Sequence, residues 1–249
     1  MIKYFRYFFL LLLFACEGDS DVSPSNSGEN TGTGGSLARF TISGDYLYAV
    51  DAQRLLTFSL EEAMSPKQVD LFELDWGVET IFAMDTLIFV GTQTGMHVFD
   101  ITERSRPGYL SGFEHVESCD PVVAQDTLAF VTLRSGNSCR NGINRLDVLD
   151  VRDLRDPKLI RSIPMQNPHG LAVRGKHLFV CEGQFGMKVF EIQENAALEE
   201  IEFYSSIRSK DVILSNDSLM VVVADDGLFQ YDYSDVSNIS LLSQIRKEF

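Results

Sequence analysis

No apolar run in the sequence is long enough to cross a bilayer. The longest lies near the N-terminus, where residues 7–14 read YFFLLLLF and follow Lys3 and Arg6. A membrane-spanning helix needs about 20 apolar residues, whereas a short apolar core behind a positively charged start is typical of a secretory signal peptide. We therefore expect residues 1–15 to be a signal peptide that is removed on export.

The residues that end this segment, Leu13-Phe14-Ala15-Cys16, resemble a bacterial lipobox. The resemblance implies cleavage before Cys16 and a lipid on its thiol. A multi-acyl anchor makes membrane attachment stable, because each buried methylene contributes about 0.8 kcal/mol. The alternative is an ordinary signal peptide followed by an incidental cysteine.

Residues 17–36 are almost devoid of apolar side chains, and Val22 is their single aliphatic residue. Such a segment cannot bury enough apolar surface to offset its chain entropy, so residues 16–36 are predicted to be a disordered tether. Its acidic start, EGDSD, resembles the surface-export signals of Bacteroidota lipoproteins. The alternative is a solvated linker. The chain is therefore predicted to be an outer-membrane lipoprotein of the cell envelope. A surface-export signal at residues 17–21 would display it on the cell surface.

Basic residues are scarce. The chain has 21 Lys and Arg against 36 Asp and Glu, a formal net charge of −15. Removal of residues 1–15 takes Lys3 and Arg6 and no acid, which leaves a charge of −17. Nucleic acids and anionic lipid surfaces both require Lys/Arg patches. The shortage therefore argues against a nucleic-acid partner and leaves the N-terminal lipid as the predicted contact with a membrane.

Recognisable catalytic and metal-binding motifs are also missing. None of the four cysteines lies in a C-x-x-C or Cys/His metal spacing. The chain has no G-x-S-x-G nucleophile motif, no P-loop and no dinucleotide fingerprint. No metal and no cofactor are therefore predicted.

Helical periodicity is absent too, and a β-rich unit recurs instead. Apolar runs rich in β-branched and aromatic residues alternate at period two and are separated by turn residues. The units are anchored on Leu47, Leu87, Leu128, Leu178 and Leu219, spaced by 40, 41, 50 and 41 residues. A period in the forties indicates a propeller or a solenoid.

Each unit contains four strand-like runs, so residues 37–249 are predicted to form an all-β domain, a five-bladed β-propeller of four-stranded antiparallel blades. The alternative is a β-sandwich. The predicted blades span about residues 37–77, 78–117, 118–168, 169–208 and 209–249.

The third strand of several units carries a recurring pattern. It reads MHVFD from Met96, LDVLD from Leu146 and MKVFE from Met187, and the turn Arg155-Asp156-Pro157 follows the second copy. These residues resemble the LVIVD-repeat proteins, a family of bacterial and archaeal β-propellers. The resemblance covers residues 37–249 and implies a propeller fold and export. It implies no catalytic residues.

The cysteines beyond Cys16 have separate predicted roles. Cys119 lies at the entry of the first strand of blade three, and Cys139 lies in the enlarged loop of that blade, residues 134–145. The oxidising compartment of an exported protein favours a disulfide between them. Cys181 occupies an apolar strand position and is predicted to be a buried small hydrophobe. Disulfides that pair Cys181 with Cys119 or with Cys139 remain alternatives.

Candidate ligand-binding residues lie where the innermost strands begin, at the mouth of the propeller. Acids and bases occur there eight or nine residues before the anchor leucines: Arg39, Glu79, Asp120, His169, Lys210 and Asp211. The acids would come from three blades, and Arg39, His169 and Lys210 would supply cations. The plain alternative is that these residues are solvated or paired with one another.

Two functions of different classes fit these residues. The first is a non-catalytic binding or scaffold module for an unknown protein or glycan ligand. The second is a glycoside hydrolase or lyase whose mouth carboxylates work as an acid–base pair. A carboxylate pair about 5–9.5 Å apart in a deep pocket favours the enzyme.

Overall fold

The computed structural model describes residues 35–114, 121–135 and 144–247. Twenty strands lie within them, in five sheets whose four strands are neighbours in chain order. Every neighbouring pair is antiparallel. Each sheet is one blade, so the prediction of an all-β, five-bladed propeller is confirmed. No helix long and apolar enough to cross a membrane occurs among the described residues.

The strands of each blade run from the propeller axis outwards. Blades one and two consist of β1 Phe40–Ser43, β2 Tyr46–Val50, β3 Arg54–Ser59, β4 Lys67–Glu73, β5 Val78–Met84, β6 Leu87–Thr92, β7 Gly95–Asp100 and β8 Gly108–Glu114. Blade three consists of β9 Val122–Gln125, β10 Leu128–Leu133, β11 Arg145–Asp150 and β12 Lys158–Pro164. Blades four and five consist of β13 Leu171–Arg174, β14 His177–Cys181, β15 Met187–Ile192, β16 Leu198–Tyr204, β17 Asp211–Leu214, β18 Leu219–Ala224, β19 Gly227–Asp232 and β20 Ser240–Arg246.

The same local devices recur from blade to blade. In four blades, two-residue turns join the first two strands, and their first residue has a positive φ. These residues are Gly44, Asp85, Asp126 and Gly175, at 53° to 56°. Gly adopts this conformation without steric cost, and Asp is among the few other residues that tolerate it. In every blade the register between the third and fourth strands shifts at one point, and such bulges increase the twist of a sheet.

The middle strands of blades two, three and four are apolar on both faces because each of these blades is covered by a neighbour on either side. Phe89, Phe130 and Phe179 in the second strands are wholly buried. Cys181 lies in the same layer, is free and wholly buried, and has a thiol pKa raised by that burial. The prediction that Cys181 is a buried small hydrophobe is therefore confirmed.

The interfaces between blades are not equivalent. Buried apolar clusters fill the interfaces between blades one and two, two and three, three and four, and four and five. Among the described residues no such cluster joins blade five to blade one. Residues 35–38, which we call the N-terminal turn, lead into β1 and contact blade five at this place. We call this fifth interface the seam.

Candidate binding clefts at the top face

The predicted mouth residues lie on one face of the propeller, the face at which the innermost strands begin, which we call the top face. The structure describes five of the six residues: Arg39, Glu79, His169, Lys210 and Asp211. Asp120 lies outside the described residues, as do Cys16, Cys119 and Cys139, so the lipid anchor and the disulfide remain predictions. The five described residues do not form one site.

Asp211 is built into the fold. Asp211 is the first residue of β17 and is 6% exposed. The hydroxyl of Ser36 donates to Oδ1 at 3.0 Å, and the amide of Leu37 donates to Oδ2 at 3.3 Å. Burial raises the pKa of Asp211 to about 6, although these hydrogen bonds act in the opposite direction. Both carboxylate oxygens are therefore committed to the protein's own N-terminal turn.

Two glycines make room for this carboxylate. A Cβ atom on Gly35 would lie 2.1 Å from Oδ2 of Asp211, and one on Gly170 would lie 2.1 Å from Oδ1. No side chain can be accommodated at such distances unless the carboxylate moves. The acid, the N-terminal turn and the start of β13 thus form a close-packed unit.

The N-terminal turn also contacts the innermost strands of blades two and four. The hydroxyl of Ser36 accepts a hydrogen bond from the amide of Leu171, where β13 begins, at 2.7 Å. The carbonyl of Ala38 accepts from the amide of Ile81 in β5, at 2.9 Å. The turn therefore extends from blades four and five towards blade two.

His169 was predicted to supply a positive charge, but its pKa is too low for that. Burial, together with the nearby charges of Arg134 and Lys210, lowers the pKa of His169 to about 4. Its Nε2 lies 3.1 Å from the side-chain nitrogen of Asn167, and its carbonyl accepts from the hydroxyl of Thr132 at 2.6 Å. The imidazole is therefore neutral at physiological pH.

Lys210 forms an ion pair with Asp225 beside this histidine. The pair borders a cavity of about 300 Å³ between blades four and five. The cavity is lined by Gly183, Gln184, Arg208, Ser209, Lys210, Ala224, Asp225 and Asp226. Its two acids and two bases give it no dominant charge.

Glu182, a wholly buried acid directly after β14, was not among the residues predicted for the site. Its carboxylate accepts from the amides of Gln166 at 3.1 Å and of Asn167 at 2.6 Å. The ammonium of Lys188 lies 4.0 Å away. Glu182 thereby orders the loop that carries His169. The only sequence signal was an acid directly after an apolar strand, which resembles an ordinary strand end.

Trp76, the only tryptophan of the chain, was not among the predicted residues either. It lies in the loop between blades one and two, is 74% exposed, and borders a cleft of about 480 Å³. The cleft is lined by Leu37, Arg39, Ala52, Trp76, Gly77, Val78, Glu79, Thr80 and Gln93. Two of the predicted residues, Arg39 and Glu79, thus lie in one cleft with an exposed aromatic ring. We call it the Trp76 cleft.

Polar groups in the Trp76 cleft are held by the backbone and by one another. The side-chain amide of Gln93 donates to the carboxylate of Glu79 at 2.9 Å. The guanidinium of Arg39 donates to the carbonyl of Val78 at 3.1 Å. Gly77 has a φ of 95°, and a Cβ there would lie 3.0 Å from the side chain of Gln93. The cleft therefore combines an apolar ring face with oriented planar donors and acceptors. Among the described residues, no group of His, Cys, Asp and Glu is arranged to hold a metal ion.

Five four-stranded blades around one axis make this protein a β-propeller. No protein-family model matches the chain, and no curated protein matches it in sequence, so the LVIVD-repeat resemblance stays a prediction.

Solved structures resemble it in fold. A protein from Lactobacillus plantarum superposes with a TM-score of 0.63 at 14% identity, over 82% of this chain and 73% of that one. A functionally unknown protein from Desulfotomaculum acetoxidans gives a TM-score of 0.63 at 14% identity, over 82% and 67%. The periplasmic gluconolactonase of Pseudomonas aeruginosa gives 0.62 at 12% identity, over 82% and 68%. At these identities the similarity concerns the fold alone.

Proposed function

We propose that this protein is a lipid-anchored β-propeller of the bacterial cell envelope, related to the LVIVD-repeat proteins, that acts as a non-catalytic binding module. We propose further that its ligand is a glycan and that the Trp76 cleft binds it. The observation that carries this proposal is the juxtaposition of the exposed Trp76 ring with Arg39, Glu79 and Gln93 in one cleft.

The exposed ring supplies an apolar platform. Sugars present C–H groups on one face of the ring and hydroxyls at its edge, so they pack a face against an aromatic side chain. A tryptophan buries a large area with few rotatable bonds, which keeps the entropic cost of binding low. Because Trp76 is 74% exposed, most of that area is still available to a ligand.

The polar groups supply the contacts at the edge of the sugar. A carboxylate accepts from hydroxyls, a guanidinium donates to them, and an amide does both. The Glu79–Gln93 hydrogen bond and the Arg39 contact with Val78 orient these groups before a ligand arrives. Such pre-organisation reduces the free energy lost on binding.

The hydrolase or lyase is less well supported. It needs two carboxylates that face one substrate. Of the acids proposed for it, Asp211 is buried under the N-terminal turn, and Glu79 lies in a different, open cleft.

The test is a glycan array probed with the wild-type protein and with Trp76→Ala. We expect the variant to lose at least about tenfold in affinity, which corresponds to about 1.4 kcal/mol. Phe185→Ala is the matched control because Phe185 is an exposed aromatic residue of blade four, 42% exposed. Equal binding by Trp76→Ala and wild type would overturn the proposal. Turnover of glycosides or of gluconolactone, assayed in parallel, would favour the enzyme instead.

A further inference from the structure

The wall of the Trp76 cleft includes part of the N-terminal turn. Leu37 and Arg39, from the segment that leads into β1, lie among the residues that line the cleft. Leu37 belongs to the turn itself and is 41% exposed, so its side chain is open to a molecule in the cleft. The shape of the cleft therefore depends on where the turn is held.

Leu37 is held in place by blades four and five. Its amide donates to Oδ2 of Asp211 at 3.3 Å. The preceding residue, Ser36, donates to Oδ1 of Asp211 at 3.0 Å and accepts from the amide of Leu171 at 2.7 Å. Asp211 begins β17 in blade five, and Leu171 begins β13 in blade four. One wall of the cleft between blades one and two is thus fixed by strands that do not line it.

The residues that follow Leu37 are held by the blades that form the cleft. The carbonyl of Ala38 accepts from the amide of Ile81 in β5 at 2.9 Å. The guanidinium of Arg39 donates to the carbonyl of Val78 at 3.1 Å. Leu37 therefore lies between one set of hydrogen bonds to blades four and five and another set to blade two.

The turn has little freedom to absorb a displacement of Asp211. Its own hydrogen bond, from the amide of Ala38 to the carbonyl of Gly35, measures 2.9 Å. A Cβ on Gly35 would lie 2.1 Å from Oδ2 of Asp211, so the turn is packed directly on the carboxylate. Because the amide of Leu37 is bonded to the same oxygen, loss of the carboxylate releases Leu37 on one side.

We propose that Ser36 and Asp211 are positioning residues of the Trp76 cleft, because they fix the N-terminal turn and thereby place Leu37 in the cleft wall. Neither residue lines the cleft itself. The inference rests on the proposed function in one respect, which is that the cleft is the binding site.

The consequence for binding follows from the entropy of the turn. Fixing the backbone of one residue costs a factor of about 5 to 30 in an equilibrium constant. A molecule that contacts Leu37 binds more weakly by about this factor when the turn is released, since it must order the turn itself. By linkage, the same molecule favours the docked turn by the same factor.

The test uses the single tryptophan as a reporter and needs no ligand. The full-length protein, labelled with 5-fluorotryptophan and held in detergent, gives one fluorine resonance, which belongs to Trp76. We expect Ser36→Ala and Asp211→Ala each to shift this resonance by more than its wild-type linewidth, because both release the wall at Leu37. Thermal melts establish that each variant is folded at the temperature of measurement. A wild-type resonance in either folded variant overturns the proposal.

A serine and a buried aspartate in blade three provide matched controls for a general loss of stability. Asp147 is 1% exposed and accepts from the hydroxyl of Ser162 at 2.6 Å. Ser162→Ala and Asp147→Ala therefore remove the same type of hydrogen bond, but in a blade that does not line the cleft. We expect both to keep the wild-type resonance. An equal shift in these variants would show that the reporter follows stability alone, which contradicts the proposal.

Leu37→Ala tests whether the effect passes through the side chain of Leu37. The substitution removes the apolar wall and keeps the amide that donates to Asp211, so the resonance is expected to shift although the turn stays docked. A wild-type resonance for Leu37→Ala would show that Trp76 does not sense this wall, and the proposal fails.

The glycan array tests a different statement. Shifted resonances in a protein that binds no glycan refute the proposed function and leave the positioning role in place. Glycan binding that depends on Trp76, together with a wild-type resonance in Ser36→Ala, does the reverse.

Discussion

The hydroxyl of Ser36 donates a hydrogen bond of 3.0 Å to the carboxylate of Asp211, 175 residues further along the chain. The same hydroxyl accepts from the amide of Leu171 at 2.7 Å. One serine thereby joins the N-terminal turn to the innermost strands of blades four and five. At the seam, where an apolar cluster is lacking among the described residues, these polar contacts hold the turn in place.

The buried carboxylate makes stability depend on pH. The pKa of Asp211 is raised to about 6 in the folded protein, against about 3.9 in an unfolded chain. Between these values the folded state holds a proton that the unfolded state has lost. The contribution of Asp211 is therefore largest below about pH 4 and is lost as pH rises to about 6, a fall of about 3 kcal/mol.

His169 has the opposite dependence. Its pKa is lowered to about 4 in the folded protein, so the unfolded state binds the proton more readily between about pH 4 and 6.5. The neutral imidazole stabilises the fold above this range, and that contribution is lost as pH falls. The two residues therefore oppose each other over nearly the same range of pH.

Single substitutions separate the two contributions. Relative to wild type, Asp211→Asn is expected to gain stability as pH rises from 4 to 6, because the opposing slope of the carboxylate is removed. His169→Gln is expected to lose stability over the same range. Urea denaturation at several pH values measures both. Asp217→Asn is the control because the Asp217 side chain is 96% exposed. Identical pH profiles for all four proteins would refute the assignment.

Ser36→Ala tests the hydrogen bond directly. The substitution removes a donor from a buried carboxylate and an acceptor from the amide of Leu171. A buried group left unsatisfied costs about 1–3 kcal/mol, so we expect a decrease of that size in the free energy of unfolding. Ser240→Ala, in the exposed strand β20, is the control and should change stability by less than about 0.5 kcal/mol. An equal effect of both substitutions would mean that the Ser36 contact contributes nothing.

The propeller fold could be predicted from the sequence because each blade repeats the same local sequence pattern. The anchor leucines, period-two alternation and turn residues recur in each blade and need no knowledge of distant contacts. The candidate site was harder to predict. Arg39 and Glu79 do share a cleft, but Trp76 belongs to no repeated position. The burial of Asp211 depends on a turn 175 residues away, and the pKa of His169 depends on neighbours from two blades.

A further prediction concerns the lipidation of Cys16, which lies outside the residues that the structure describes. Cys16→Ala removes the thiol that the lipobox resemblance assigns to the lipid. The variant is expected to leave the membrane fraction and appear in the soluble fraction of the envelope, since no other lipid anchor is predicted. Ser20→Ala, in the same segment, should remain with the membrane. A Cys16→Ala protein that still sediments with membranes would instead indicate attachment through a partner.

Glycine substitutions test how closely the N-terminal turn is packed. Gly170→Ala would place a Cβ 2.1 Å from the carboxylate of Asp211, too close for either group to remain in place. We expect a loss of more than about 2 kcal/mol, because the only relief is to displace a buried, hydrogen-bonded acid. Gly108→Ala is the control, since its Cβ would meet its nearest atom, the carbonyl oxygen of Asp100, at 3.8 Å.

Urea denaturation measures both alanine variants, and Asp211→Ala combined with Gly170→Ala distinguishes the cause. If the clash with the Asp211 side chain dominates, the double variant loses less than the sum of the single losses, because Asp211→Ala removes the atoms that the new Cβ meets. Losses that add within about 0.5 kcal/mol would show that the two positions are independent, which the 2.1 Å approach contradicts.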